Sequence, residues 1–219
     1  MTHLLRIELP DVPGSLGAVA TSVGMTGANI EAIEIVEHRP DGTAIDDLYV
    51  DLPSNLMPDT VVSAVQRLDG VHVLWISRYA VSGNQHLDLE AIDVITDDPV
   101  RAVHHLTQLL PRAFRSDWAL VVDASTGPLE RREATANAPD LPDAAVRWLP
   151  LEHAQRLSVD EQWPGWSHTE VAAAPLGNSR RIIVLGRHGG PEILNSEVAR
   201  LSHLAALTAT LEASLDVES

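Results

Sequence analysis

The sequence predicts an α+β chain in two parts, and three observations carry that expectation. Residues 3–80 run strand, helix, strand, strand, helix, strand, with period-two apolar alternation giving way twice to helical spacing. Residues 80–88, Ala-Val-Ser-Gly-Asn-Gln-His-Leu-Asp, are polar, contain a glycine and follow a complete unit, as a linker does. The remainder mixes short apolar strands with a long final helix. The expected boundaries are 1–80, a linker at 81–88, and 89–219.

The first strand covers His3 to Leu9, with Leu5, Ile7 and Leu9 alternating against Arg6 and Glu8. A Pro13-Gly14 turn leads to a helix from Ser15, which carries Leu16, Val19, Ala20 and Val23 on one face. Gly27 suits the position just past its end. The second strand runs from Ile30 to His38, and Pro40-Asp41-Gly42 supplies a hairpin turn. The third strand sets Leu48, Val50 and Leu52 against Asp47, Tyr49 and Asp51. A second helix is expected over Asp59–Leu68 and a last strand over Val71–Tyr79. Two βαβ units joined by a hairpin make a ferredoxin-like βαββαβ sheet with both helices on one face. The open face then calls for a partner.

In the second half, Asp98-Pro99 starts a helix with Val100, Val103, Leu106, Leu109 and Leu110 on its apolar stripe. Trp118–Val122 reads as a buried strand, with Leu129–Thr135 as its hairpin partner and a short helix over Pro142–Trp148. Strands at Thr169–Pro175 and Arg181–Arg187 flank a turn at Gly177-Asn178-Ser179. The last helix starts near Asn195 and places Val198, Leu201, Leu204, Leu211 and Leu215 along one seam, suited to a core or to a subunit interface.

Composition narrows the function classes. The 219 residues are 45% hydrophobic and 21% charged, ordinary for a globular protein. The net charge is −16, and all 15 basic residues are Arg. So acidic a chain, with no basic stripe, argues against nucleic-acid binding. Without Lys there is no Schiff-base chemistry and no phosphate-binding P-loop lysine. Without Cys there are no disulfides or thiolate metal sites, as expected of a cytoplasmic protein. Residues 2–9 alternate instead of forming a secretory leader, and no apolar stretch is long enough for a bilayer.

Two resemblances follow from these residues. Asp11-Val12-Pro13-Gly14-Ser15-Leu16, then Gly27-Ala28-Asn29-Ile30, with this element order, resembles the ACT domain, a small amino-acid-sensing module, over residues 3–80. The resemblance implies a ligand site near the interface between paired sheets, mapping to Asp11, Pro13, Gly14, Ser15, Leu16, Asn29 and Ile30. The chemistry is sensible on its own terms. Gly14 lets backbone approach a ligand, amides near Ser15 and Leu16 face the positive helix end, and Asn29 offers both donor and acceptor. Ala174-Pro175-Leu176-Gly177, Arg181–Gly186, Trp118–Asp123 and the final helix resemble a GAF domain, an antiparallel-sheet α/β sandwich, over residues 89–215. With no Cys, no bilin could be attached, and the ligand of this half stays open.

Blander readings stand beside these. The Asp11–Leu16 turn also serves as a plain strand–helix connection, and Asn29 as a turn residue. Trp163, Trp166 and His168 could roof a pocket, but Trp residues more often anchor packing. His104 and His105 are helical neighbours whose side chains diverge by about 100°, so no metal site is expected. Asp46 and Asp47 lie on a strand and face opposite sides. Nothing converges on a nucleophile, base and oxyanion donor.

The expected function is therefore that of a non-catalytic regulatory sensor, without metal or cofactor, binding a small amino acid or related carboxylate. A homodimer is expected, with an enzyme or signalling partner as a further possibility. The alternatives are a ligand-free interaction module that regulates a separate enzyme, and an enzyme with an unfamiliar site in the second half near Trp166 and His168.

Overall fold

A computed structural model describes residues 2–78, 87–160 and 162–218, with the backbone alone at 87–90 and 216–218. The chain divides into two compact units, Met1–Ser82 and Gly83–Ser219. Tyr79 and most of the expected linker lie outside the described residues. Its last two positions, Leu87 and Asp88, belong to a helix. Among the described residues no helix is long and apolar enough to cross a membrane.

The first unit runs β1 (Thr2–Pro10), α1 (Ser15–Met25), β2 (Asn29–His38), β3 (Thr43–Asp51), α2 (Pro58–Val65) and β4 (His72–Arg78). Its four strands lie in the order β2-β3-β1-β4, every neighbouring pair antiparallel. The alternation of β1 decides what is buried. Leu5, Ile7 and Leu9 share a core with Ala44, Leu48 and Val50 of β3, Val19 and Val23 of α1, and Val61 and Val65 of α2. Both helices therefore cover the same sheet face, and each fully buried aliphatic side chain contributes about 1.5–3 kcal/mol. Across β1 and β3, Arg6 and Asp47 are register partners. Both are buried and form a two-pronged ion pair at 2.7 and 2.9 Å.

The second unit runs α3 (Leu87–Asp97), a 3₁₀ turn at Pro99–Arg101, α4 (Ala102–Ala113), β5 (Trp118–Asp123), β6 (Glu130–Ala134), a 3₁₀ turn at Asp143–Trp148, β7 (Gln155–Leu157), β8 (Thr169–Asn178), β9 (Arg181–His188) and α5 (Asn195–Glu218). The antiparallel order is β6-β5-β9-β8-β7. Neither α3 nor β7 was evident in the sequence. The first has no cap or proline signal at its start and overlaps the expected linker only at Leu87 and Asp88, and the second is three residues long.

Alternation in β5, β8 and β9 gives this sheet two buried faces. On one, Ala119, Val121, Ala172, Ala174, Ile183 and Leu185 pack against Leu106 and Leu110 of α4 and Leu201 and Leu204 of α5. On the other, Leu120, Val122, Ala173 and Val184 meet Trp118, Trp148 and Trp166. Trp118 sits opposite Gly186 across the ladder. A Cβ on Gly186 would lie 2.0 Å from the Trp118 ring, so only glycine fits there.

One polar knot closes the unit. The Arg187 guanidinium donates to the Phe114 carbonyl at 2.6 Å, the Arg115 carbonyl at 3.1 Å and the Glu197 carboxylate at 2.6 Å. The other Glu197 oxygen accepts the Leu194 N–H at 2.8 Å, capping the start of α5. Both side chains are buried, and a buried charge of this kind is tolerable only when fully paired.

Candidate functional site

The turn between β1 and α1 is the best-formed candidate. Asp11 donates its N–H to the Gly42 carbonyl at 2.9 Å, and its carboxylate meets the His38 ring at 2.8 Å, which fixes the loop against the β2–β3 hairpin. Gly14 then takes φ +100°, a left-handed conformation that glycine adopts without a Cβ penalty. It starts α1 with no side-chain cap and no acidic residue in the first turn. An uncapped helix start leaves N–H groups open. The Ser15 N–H is already taken by the Val12 carbonyl at 3.2 Å, and the Ala18 N–H by Gly14 at 3.0 Å. Between them, the Leu16 and Gly17 N–H groups have no protein acceptor among the described residues. The expected amide pair is thus displaced by one residue, from Ser15 and Leu16 to Leu16 and Gly17. Asp11, Pro13 and Gly14 are exposed, while Ser15 and Leu16 are half-buried.

Asn29 and Ile30 do not join them within one chain. Asn29 pairs with Asp51, which on its other side pairs with Thr2, so Asn29 is level with the beginning of β1. Asp11–Leu16 follow the end of that nine-residue strand, and a strand rises about 3.4 Å per residue. The two groups therefore stand roughly 25–30 Å apart along the sheet. Asn29 is exposed on edge strand β2, and Ile30 packs partly into the core.

Asp46, which makes no carboxylate pair with Asp47, has a setting of its own. Asp46 pairs with Ile7 and so faces the helix side of the sheet, one residue from the outward-facing Asp47. It is 3% exposed, and its Oδ1 has no hydrogen-bond partner. Burial pushes its pKa up. The nearby His38 opposes that shift, while Asp11 and Asp47 reinforce it. The signal was present in the sequence. Asp46 interrupts the run Ala44, Leu48, Val50, Leu52 at a position that alternation reserves for an apolar side chain. A groove of about 930 Å³ also opens between α1 and α2, walled by small side chains such as Gly17, Ala18, Ser63 and Ala64.

In the second unit Trp166 is wholly buried, donates its indole N–H to the Asp140 carbonyl at 3.0 Å, and sits 4.9–5.8 Å from three other Trp rings. It is a packing anchor and cannot touch a solvent-borne ligand. His168 is exposed, at φ +53°. His104 and His105 each meet a different carboxylate, Glu133 at 3.1 Å and Asp98 at 3.4 Å. Among the described residues no group of three or more His, Asp or Glu side chains could hold a metal ion.

No family model matches the chain. It is 34% identical over 86 residues to NAD-dependent malic enzyme 1 of Bacillus subtilis (strain 168), a match covering 39% of this chain and 19% of that enzyme. The chain thus spans about a fifth of that relative's length. Among solved structures it resembles a GAF domain from a phosphoenolpyruvate-protein phosphotransferase of Coxiella burnetii, at 16% identity and TM-score 0.43 over 63% of this chain and 98% of that one. It also resembles the free methionine-R-sulfoxide reductase of Neisseria meningitidis, solved with its substrate, at 15% identity and TM-score 0.47 over 65% of this chain and 98% of that one.

Proposed function

We propose that the chain is a non-catalytic regulatory sensor whose first unit, an ACT-type module, binds a small amino acid or related carboxylate. One observation carries the reading: the open Leu16 and Gly17 amides at the uncapped start of α1, on the helix-covered side of the sheet that also holds Asp46, whose carboxylate has one oxygen without a partner. Open amides at a positive helix end favour a carboxylate, and a buried unpaired carboxylate favours a cation such as an ammonium group. An amino acid carries both.

The remaining candidate residues enter through a second copy. Antiparallel pairing of β2 with β2 of another chain sets Asn29 of one protomer beside His38 of its partner, and His38 holds Asp11. All seven residues then border one interface, and a ligand there biases the dimer by its differential affinity. Glu31, Glu34 and Glu37 lie along the same edge, so salt should strengthen this dimer by screening their repulsion. The second unit serves as a GAF-like sensor or dimerisation domain. The 86-residue match to a metabolic enzyme supports a further reading, a module that regulates a separate enzyme without a ligand of its own.

A thermal-shift panel of the common amino acids and their deaminated analogues tests the proposal. A ligand should raise the melting temperature with the logarithm of its concentration, and Gly14→Val should abolish the rise. A panel without a hit, together with a stable complex in pull-downs, moves the assignment to the ligand-free regulator.

A further inference from the structure

We propose that the second unit carries a binding site for a small oxyanion, a carboxylate or phosphate group on a soluble molecule, in a cleft bordered by α4, β6, β9 and α5. The cleft holds about 510 Å³ and is lined by residues of the second unit alone. Three guanidiniums line it, those of Arg101, Arg132 and Arg181, together with the carboxylates of Asp123, Glu133 and Glu212. The formal charges balance, so what matters is which groups are already used.

Each carboxylate already has a partner. Glu212 takes both terminal nitrogens of Arg181, at 2.5 and 3.0 Å. Glu133 meets the His104 ring at 3.1 Å. Asp123 accepts the Ser125 N–H at 2.8 Å and lies 3.8 Å from Arg132. The donors keep unused N–H groups. Arg101 is exposed and has no carboxylate partner among the described residues. The Nε of Arg181 is buried without an acceptor. Arg132 holds Glu130 at 3.0 Å through one terminal nitrogen and faces Asp123 at 3.8 Å through Nε, so its second terminal nitrogen has no acceptor among the described residues. The cleft therefore offers unused N–H groups on all three guanidiniums, and planar guanidinium forks match the oxygens of carboxylate and phosphate.

The test uses the full chain with inorganic phosphate, acetate and, as a control at matched ionic strength, chloride. Four of the five Trp residues lie between 118 and 166, so a fluorescence-detected melt reads this unit. Phosphate or acetate should stabilise it beyond chloride, and which of them does so identifies the preferred group. Arg101→Gln and Arg132→Gln, both at exposed positions, should each weaken that effect by about tenfold in midpoint concentration. Arg181→Lys keeps the charge, loses the fork and should weaken it as well. Equal stabilisation by chloride, or midpoints unchanged in both Gln variants, would overturn the proposal. Neither outcome touches the amino-acid site of the first unit.

Discussion

Replacing Asp46 with asparagine should stabilise the first unit at neutral pH and weaken its hold on an amino acid. Asparagine keeps the shape and drops the charge. In the native chain that charge sits 3% exposed with one oxygen unpartnered, an arrangement that costs about 1–3 kcal/mol or more. The nearby His38 returns part of this. The net gain from Asp46→Asn is about 1–2 kcal/mol, or roughly 5–15 °C in melting temperature for a unit of this size. The pH dependence fixes the sign. The folded pKa of Asp46 is raised above its ordinary value of 3.8, so between the two values the folded state binds more protons than the unfolded one. Its favourable contribution is complete below 3.8 and is lost as pH rises through the folded pKa. The gain should therefore shrink toward zero near pH 4 and be full at pH 8. Hydrogen exchange at the β1 and β3 amides reads this unit alone. A variant less stable than the parent at pH 8, or a gain equal at both ends of the range, would refute the reasoning.

Glu197→Ala strips the buried Arg187 of its carboxylate and the Leu194 N–H of its acceptor; loss of about 3–5 kcal/mol is expected in denaturant titrations followed by Trp fluorescence. Gly186→Ala drives a methyl into the Trp118 ring and should cost about 1–3 kcal/mol or more, with a changed near-ultraviolet dichroism spectrum. Gly14→Ala meets open space but forces a left-handed alanine, so a loss of about 1–2 kcal/mol is expected, with the ligand-induced thermal shift reduced.

Much of the first unit could be read directly, because its signals are local. Leu5, Ile7 and Leu9 alternate, Pro40-Asp41-Gly42 turns, and Gly14 and Gly27 punctuate α1 at both ends. The site was harder to read. Its amide donors depend on which N–H the Val12 carbonyl captures, a detail of turn geometry that shifted the pair from Ser15 to Gly17. The distance between Asn29 and Gly14 depends on strand register, which no local pattern states. Asp46 was visible as a break in alternation, but its meaning came from burial. In the second unit α3 lacked a start signal, and the oxyanion cleft gathers residues from 101 to 212 that only the fold brings together.

The Arg187 knot also sets a schedule for biosynthesis. Its guanidinium closes on the carbonyls of Phe114 and Arg115, 73 and 72 positions upstream. At about 5–20 residues per second, a ribosome delivers Arg187 roughly 4–15 seconds after the end of α4 has been made. For most of that interval the apolar stripe of α4 has neither β9 nor α5 to cover it, while every residue of the first unit is already synthesised. Nascent chains stalled between residues 115 and 187 should therefore recruit hydrophobic-binding chaperones to α4, and release them once the tail of the protein arrives.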